Sequence, residues 1–323
     1  MKGCCLDYPN PLLLLSPAII KESLASSEIE DIHTTLLDVL QNSLLPEIER
    51  RPADKEVLRY REAVMFGFET LQKTPIIRHN LIVGIHNTLM QIKGQGFRTD
   101  QNAIVNPKTK KIVFVPPAVS DIPALIKNWE SYVNLDSEEL ANDPLIKAAI
   151  AHYQFESIHP FDDGNGRTGR ILMVLQLINA GLLTAPILYI SGYINKNKSE
   201  YYKLLREVTD TQNWKNYILY MIRGFKEQAI KTKDHLLETK ALFEETKRTV
   251  KTKLPSIYTY ELIEAIFTNP IITPTALAYK INVHPNTASI HLKKLQEIGL
   301  LKVHRYGKYQ MYGNTGLINL LNK

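Results

Sequence analysis

The sequence contains little of what a secreted or membrane-spanning protein needs. Among its 323 residues there are only two cysteines, Cys4 and Cys5, which are adjacent and therefore badly placed to bridge one another. This excludes a disulfide framework and predicts a reducing compartment, so we expect a cytoplasmic protein. The longest apolar run near the start is only Leu12 to Leu15, and the sequence predicts neither a secretion signal nor a membrane span.

The sequence also lacks a large excess of positive or negative charge. Lys and Arg number 39 against 33 Asp and Glu, a net charge of +6. This mild basic excess is compatible with a nucleotide or nucleic-acid partner, and it is equally compatible with having no such partner. A hydrophobic share of 44% and a charged share of 22% are typical of a globular chain, long enough for two or three domains. Internal repeats and low-complexity segments are absent.

Apolar residues recur at three- and four-residue spacing over most of the chain, which predicts a mainly α fold. Residues 1–16 are predicted to be an extended lead-in, and residues 97–116 a strand, a polar turn and a strand. The increasingly charged pattern from about Trp214 to Lys251 predicts an exposed spacer helix. Other helices are predicted over residues 33–44, 55–73, 76–92, 121–134, 143–157 and 199–205.

The last seventy residues have the pattern helix, helix, turn, helix, hairpin, the order of a winged helix-turn-helix. Thr273 caps a helix with Pro274 in its first turn, and Gly299 ends the last helix before the hairpin. Residues 254–323 contain seven Lys or Arg and three Glu, with Arg305 and Lys308 on the predicted wing. Such a domain could bind DNA or recruit a protein target, and both interpretations stay open.

Residues 159–170, His-Pro-Phe-Asp-Asp-Gly-Asn-Gly-Arg-Thr-Gly-Arg, connect two helical patterns. Gly164 and Gly166 let the backbone turn its N–H groups outward, and a helix is predicted to begin at about Asn165 or Gly166. A ligand in this loop therefore meets a helix N-terminus, where free N–H groups and the macrodipole favour an anion. Phe161 is predicted to anchor the loop in the core.

The other side chains of the loop suit phosphoryl chemistry. His159 can take a proton from an attacking hydroxyl, and Asp163 is a natural ligand for Mg²⁺ bridging two phosphates. Asn165 can help hold phosphate oxygens, while Arg167 and Arg170 share a helix face and can clamp the outer phosphates. The alternative is a structural turn in which Asp163 and Arg167 form a salt bridge.

The loop resembles the signature motif of the Fic family, with every defining position filled. The resemblance implies a helical core that transfers AMP from ATP to a Ser, Thr or Tyr hydroxyl of a target protein or of itself, using Mg²⁺ or Mn²⁺. It implies that His159 is the base, Asp163 the metal ligand, Gly164 to Gly166 the phosphate cradle, and Arg167 and Arg170 the clamps on the β and γ phosphates. Doc-type members, which phosphorylate their targets, have Lys where this chain has Gly166.

The resemblance extends to the hairpin at 97–116, which corresponds to the Fic flap. A flap strand, here Ile104, Val105 and Val113, holds the target segment by strand addition. A small surface hairpin packed on helices is the alternative interpretation. Tyr201 and Tyr202 match a pair that lines the family's nucleotide pocket, although an aromatic pair in an amphipathic helix is also typical of a core.

Upstream, residues 26–30, Ser-Ser-Glu-Ile-Glu, resemble the family's inhibitory motif, a Ser or Thr followed four residues later by Glu. The motif continues with Gly or Asn, where this chain has Asp31. A Glu30 carboxylate paired with Arg170 would occupy the clamp for the γ-phosphate, so ATP would bind unproductively. Without the resemblance, Glu30 would be interpreted as a solvated helix charge. Glu28 is a competing candidate, and Ser26 completes the expected inhibitory residues.

We therefore expect an N-terminal region with an inhibitory helix over 1–95, a Fic core over 96–225, a linker helix over 226–253 and a winged helix-turn-helix over 254–323. The expected partners are ATP and an unidentified protein substrate, with no membrane. DNA bound through the last domain and a homodimer are left open. Two other functions also stay open: a DNA-binding regulator with a nucleotide-sensing core, and removal of AMP with Glu30 positioning a water.

Overall fold

The computed structural model describes residues 12–105, 109–135, 143–188 and 190–322. Most of these residues are helical, and the strands form two small antiparallel sheets, which confirms the mainly α prediction. The chain divides into two compact units. One contains residues 25–31 and 59–228, and the other contains residues 1–24, 32–58 and 229–323. Within the described ranges, none of the helices combines the length and apolar character that crossing a bilayer requires.

The helices are, in chain order, α1 (Leu12–Ile29), α2 (Leu36–Asn42), α3 (Pro52–Lys73), α4 (His79–Met90), α5 (Ile122–Asn134), α6 (Pro144–Ile158), α7 (Asn165–Asn179), α8 (Ile190–Lys196), α9 (Lys198–Thr211), α10 (Trp214–Lys253), α11 (Tyr260–Thr268), α12 (Pro274–Lys280), α13 (Pro285–Glu297) and α14 (Thr315–Leu321). The strands are β1 (Ile104–Val105), β2 (Ile112–Phe114), β3 (Ile271–Ile272), β4 (Leu301–Tyr306) and β5 (Tyr309–Asn314).

Helix α7 forms the centre of the unit that contains the loop. Almost every residue of α7 is buried, both the polar first turns with Arg167 and Arg170 and the following stretch 171–178, which is apolar except for Gln176. Trp129 of α5 is buried beside Phe155 of α6, and its indole N–H donates to the Ala151 carbonyl over 2.8 Å. Gly67 of α3 lets Leu175 of α7 approach closely, since a Cβ there would lie 2.7 Å from the Leu175 Cδ1. The loop is therefore mounted on a rigid helical body.

The hairpin predicted at 97–116 is present, as strands β1 and β2 pair antiparallel with Ile104 opposite Phe114. The register shifts by one residue between Ile104 and Val105. Residues 106–108 of the predicted turn lie outside the described residues, as do Cys4 and Cys5. The apolar side chains of both strands are exposed, except for the half-buried Phe114.

The C-terminal residues have the predicted order, helices α11, α12 and α13 followed by the hairpin β4–β5. Thr273 caps α12 by accepting a hydrogen bond from the Ala276 N–H, with Pro274 in the first turn as expected. Strand β3 and helix α14 were not predicted, because two residues and seven residues give too short a pattern. Strand β3 completes an antiparallel sheet of order β3–β5–β4. On the wing, the Lys308 Nζ lies 3.6 Å from a Glu49 carboxylate oxygen.

Two predictions about helices are wrong. Residues 12–16 of the predicted extended lead-in are helical, because leucines are strong helix formers, while residues 1–11 lie outside the described residues. Helix α10 spans the expected residues but is not an exposed spacer. A stripe along it is buried at three- and four-residue spacing, which includes Phe225, Gln228, Thr232, Leu236, Thr239, Phe243, Thr246 and Val250. The threonines in this stripe are buried but not apolar, so the sequence shows no clear apolar periodicity among the charged residues of this helix.

Candidate active site

The loop at 159–164 connects the end of α6 to the start of α7. His159 ends α6 with φ at 49°, and Gly164 precedes α7 with φ at 77°, a conformation that glycine adopts at little cost. Helix α7 begins at Asn165, as predicted, and its first internal hydrogen bond runs from the Thr168 N–H to the Gly164 carbonyl over 2.9 Å. The N–H groups before Thr168 therefore point out of the helix end, where they favour an anion.

Buried side chains hold the shape of this loop. The Asn165 Nδ2 donates to the Phe161 carbonyl over 2.8 Å, and the Phe161 N–H donates to the Asn165 Oδ1 over 2.9 Å. The Phe161 ring is buried and stacks on His86 at 3.7 Å, which confirms its predicted anchoring role. The His86 Nε2 donates to the Asp163 carbonyl over 3.0 Å. Asn165 thus uses its side-chain amide to close the loop, and its backbone N–H is what remains to face a phosphate.

One of the two ring nitrogens of His159 is engaged in a hydrogen bond. Its Nδ1 lies 3.3 Å from the Glu156 carbonyl, which can only accept, so Nδ1 carries the proton and Nε2 keeps its lone pair. Burial lowers the pKa of His159, and the hydrogen bond to the Glu156 carbonyl only partly opposes this effect. The ring is therefore neutral at pH 7, as a general base must be.

Arg98, which sequence reasoning missed, ties the start of the flap segment to the loop. Its guanidinium is buried and donates to the carbonyls of His159, Asp100 and Pro117, the first at 3.0 Å. The Arg98 N–H donates to the Pro160 carbonyl over 2.8 Å. A buried arginine bonded only to backbone carbonyls leaves no pattern in the sequence, because its partners are distant and any residue can supply a carbonyl.

Asp163 lies at the mouth of the loop with its side chain 74% exposed. One carboxylate oxygen accepts from the Gly164 N–H over 2.6 Å, and the other lies 3.6 Å from the Arg167 Nη2. The salt bridge between Asp163 and Arg167, which the interpretation as a structural turn predicted, is therefore present. The Asp163 carboxylate is nonetheless exposed and accessible to a ligand. The described residues contain no cluster of three or more His, Cys, Asp or Glu that could hold a metal alone. One carboxylate beside phosphate oxygens is nonetheless a common Mg²⁺ environment.

Arg170 is buried and holds three groups from the end of α1. Its Nη2 lies 2.8 Å from the Glu30 Oε1 and 3.0 Å from the Ser26 carbonyl, and its Nε donates to the Ser26 Oγ over 2.8 Å. Burial alone would lower the pKa of Arg170, but the Glu30 carboxylate raises it above the ordinary value. A Cβ on Gly166 would lie 2.6 Å from the Glu30 Oε1, so this carboxylate lies directly over the N-terminus of α7.

The contacts of Glu28, Glu30 and Asp31 show which of these acidic side chains pairs with Arg170. The Glu28 Oε2 accepts from the Asn195 Nδ2 over 2.7 Å, away from the clamp. Asp31 has φ at 58°, the left-handed conformation that Gly and Asn adopt most readily and that Asp tolerates. The Lys198 Nζ lies 2.9 Å from the Asp31 Oδ1. Asp31 therefore ends the helix where the expected Gly or Asn would, and Glu30 alone of these acids reaches Arg170.

Sequence profiles of known families match three parts of the chain. The Fic/DOC family matches residues 76–177, the Fic/DOC family N-terminal region matches residues 1–69, and the C-terminal domain of SoFic-like protein adenylyltransferases matches residues 242–317. The first match contains the loop at 159–170, and the second contains Glu30. The chain therefore contains Fic/DOC family domains.

Named relatives agree with this assignment. A probable protein adenylyltransferase of Aquifex aeolicus is 30% identical over 198 residues, which cover 59% of this chain and 55% of the relative. The protein adenylyltransferase Fic of Aedes aegypti is 35% identical over 131 residues, 39% of this chain and 25% of the relative. The aligned segments thus span about half or less of these relatives' own lengths.

Solved structures show the same fold. A Fic family protein from Desulfovibrio desulfuricans G20 superposes with a TM-score of 0.56 at 22% identity, covering 93% of this chain and 87% of that one. A Fic domain containing signaling protein from Bacteroides thetaiotaomicron superposes with a TM-score of 0.54 at 20% identity, covering 68% and 86%. At these identities the likeness establishes the fold.

The two tyrosines expected in the Fic nucleotide pocket have different environments. Tyr201 is 2% exposed, and its hydroxyl lies 2.8 Å from the His152 Nε2 in the core. Tyr202 is 46% exposed and therefore presents an accessible ring. The core interpretation thus describes Tyr201, while Tyr202 remains the candidate for contact with a nucleotide.

The three flap residues, Ile104, Val105 and Val113, are all exposed, so the hairpin presents apolar side chains to solvent. The Arg206 Nη2, from α9, donates to the Val113 carbonyl over 3.1 Å. This contact uses an acceptor of strand β2, and sequence reasoning did not predict it, because Arg206 is separated from Val113 by 93 residues.

Proposed function

We propose that this Fic protein transfers AMP from ATP to a hydroxyl side chain of a target protein, and that Glu30 restrains the reaction. The observation that carries the proposal is the junction between α6 and α7, where a neutral imidazole, an exposed carboxylate, outward N–H groups and two arginines meet at one helix start. The names of the relatives, protein adenylyltransferases, agree with this reaction.

His159 is the base in this proposal. Its Nε2 would take the proton of a Ser, Thr or Tyr hydroxyl as the hydroxyl oxygen attacks the α-phosphorus of ATP. The bond from the α-phosphorus to the bridging oxygen of the β-phosphate then breaks, and pyrophosphate leaves. The hydrogen bond from Nδ1 to the Glu156 carbonyl supports this role, since it fixes the tautomer with Nε2 free.

The N-terminus of α7 and its arginines are proposed to hold the β and γ phosphates. Free N–H groups and the helix dipole favour their negative charge, and Arg167 and Arg170 can bind their oxygens in pairs. Gly166 has no side chain to fill the space above the helix start, which the Glu30 carboxylate occupies in the restrained protein. This cradle would direct the α-phosphate toward the His159 imidazole.

Asp163 is the proposed Mg²⁺ ligand, together with phosphate oxygens of the nucleotide. The fit rests on its exposed carboxylate and on the preference of Mg²⁺ for one or two carboxylates, phosphate and water. The ion would neutralise phosphate charge that Arg167 only partly offsets. Mn²⁺ has similar ligand preferences and could replace Mg²⁺.

Glu30 is the proposed inhibitor, because its carboxylate binds the guanidinium that a γ-phosphate needs. The contact is a charge-assisted hydrogen bond of 2.8 Å to a buried arginine, supported by two further bonds to Ser26. ATP entering this site would meet a like charge beside Gly166, so its phosphates would bind in a pose unfit for transfer. Removal of Glu30 from Arg170 would activate the enzyme.

The flap is proposed to hold the target by adding a strand of the target to the exposed hairpin. Exposed apolar side chains at Ile104, Val105 and Val113 would then contact alternate residues of the target strand. A strand bound there would bring a target hydroxyl near His159, because Arg98 joins the segment before the hairpin to the loop.

Self-labelling with ATP labelled on the α-phosphate tests the proposal. We expect Glu30→Gly to increase label incorporation and His159→Ala to abolish it, also when combined with Glu30→Gly. Glu28→Gly is the matched control, since it places the same residue in the same helix but leaves the clamp intact. Absence of label from both the wild-type protein and Glu30→Gly at any Mg²⁺ or Mn²⁺ concentration would refute the proposed activity.

A further inference from the structure

A second carboxyl group, that of Glu156, packs against α7 at Gly169, one residue before Arg170, and has no part in the transfer described above. Glu156, in the last turn of α6, has a side chain only 15% exposed, and its Oε1 is buried without a hydrogen-bond partner among the described residues. A Cβ on Gly169 would collide with this oxygen, and a Cβ on Gly166, one turn earlier on the same helix face, would meet Glu30 and the Arg170 Nη1. The chain thus places a polar group at the base of α7 and leaves it unsatisfied, which is costly unless the group is neutral or has another function.

The groups that face Glu156 come from five helices or helix ends. His152 lies one turn earlier on α6, with its Nδ1 3.9 Å from the Glu156 Oε1, and its own pKa is lowered to about 3 by burial, so it is neutral. The charged groups are Arg170 of α7 and Glu30 at the end of α1. The tyrosines, all neutral at pH 7, are Tyr201 and Tyr202 of α9 and Tyr217 of α10.

These surroundings favour the protonated acid. Burial raises the pKa of Glu156 to about 7, the Arg170 charge opposes the shift, and the Glu30 carboxylate adds to it. A phosphate in place of Glu30 would add to it in the same way, because it is also an anion. The fixed charge of Arg170 therefore interacts with two acidic groups on one face of α7: Glu30 at Gly166, and the titrating Glu156 one turn later at Gly169.

We propose that Glu156 is a positioning residue for Arg170. When Glu156 is protonated and neutral, the Arg170 guanidinium interacts mainly with the anion over the N-terminus of α7. When Glu156 is ionised, its carboxylate competes with that anion for the guanidinium. The anion is Glu30 in the restrained enzyme and the terminal phosphate of ATP in the active one, so this inference rests on the proposed function. When Glu156 ionises, its proton goes to solvent and both complexes with Arg170 weaken. Rising pH through neutrality would thus loosen the Glu30 contact and also the hold on ATP.

The test measures ATP affinity calorimetrically with the full chain, in a Glu30→Gly background that removes the competing anion. We expect the rise in the Kd for ATP between pH 6 and pH 8 to be about tenfold larger in the protein with Glu156 than in the Glu156→Gln variant, because only Glu156, and not Gln, couples an ionisation to ATP binding. Glu69→Gln, an exposed glutamate on α3, is the matched control in the same background. The change in ionisation of ATP itself is common to all three proteins and cancels.

Infrared difference spectroscopy of the nucleotide-free wild-type protein supplies a second measurement. A protonated carboxyl band that disappears in Glu156→Gln and titrates near neutral pH is expected. Equal pH dependence of the Kd in the Gln variant and the control, or no such band at pH 6, would overturn the inference. If ATP does not bind at all, the proposed function fails, while the infrared titration still decides whether Glu156 holds a proton.

Discussion

The contact between Glu30 and Arg170 permits a quantitative prediction for Glu30→Gln. The substitution keeps the shape and one acceptor oxygen but removes the negative charge. Arg170 is 1% exposed and Glu30 is 34% exposed, so water screens one partner of the pair. A hydrogen bond to a charged group contributes about 1.5–3 kcal/mol, and the exposure of Glu30 favours the lower half of that range. A loss of about 1.5–2 kcal/mol corresponds to roughly a 10- to 30-fold change.

We therefore expect kcat/KM for self-labelling to rise by about 10- to 30-fold in Glu30→Gln. Initial rates at limiting ATP, with label on the α-phosphate, measure this quantity. Glu28→Gln is the control, because Glu28 has the same side chain two positions earlier and bonds to Asn195 rather than to the clamp. Glu30→Gly should equal or exceed the effect of Gln, since it also removes the remaining acceptor.

Two results would contradict the reasoning. If Glu30→Gln and Glu28→Gln label at equal rates, the charge on Glu30 does not restrain the enzyme. If Glu30→Gln is active but Ser26→Ala lowers the rate, the contacts between Ser26 and Arg170 would serve the active state rather than the restrained one.

Three further predictions use other contacts. The lowered pKa of His159 means that the base form persists to lower pH, so the acid limb of the pH profile for kcat/KM in Glu30→Gly should lie below pH 6.5; a midpoint above 6.5 would contradict this. Glu156 has its pKa raised from 4.5 to about 7, so the folded protein binds the extra proton between these values. Stability should fall as pH rises through this window, by no more than about 3 kcal/mol, and urea unfolding of Glu156→Gln should lack that fall. Arg206→Ala frees the Val113 carbonyl and should change the KM for a protein target while the Kd for ATP stays the same; a changed Kd would place Arg206 in the nucleotide site instead.

Much of the fold and the loop could be predicted because their causes are local. The start of α7 follows from Gly164 and the apolar series after it, and the hairpin follows from two short apolar runs around a polar turn. The spacing of Arg167 and Arg170 places both on one helix face without any tertiary information. The errors have local causes too, since the threonines in the buried stripe of α10 carry no apolar signal.

The sequence alone therefore determined the proposed chemistry of this protein, because twelve consecutive residues, 159–170, contain the proposed base, the proposed metal ligand, the helix start that favours an anion and both arginines. Residue patterns did not decide which distant groups meet them: the family resemblance predicted the pairing of Glu30 with Arg170, and the tertiary structure shows it and adds Arg98. Glu30 lies 140 residues from Arg170, and Arg98 lies 61 residues from His159. The tertiary structure also decided that Glu156 packs against α7 within electrostatic range of Arg170, and that Tyr201 is core while Tyr202 is accessible. Such contacts depend on how helices pack, and a pattern of residue types along the chain does not encode which side chain will be paired, buried or left unsatisfied.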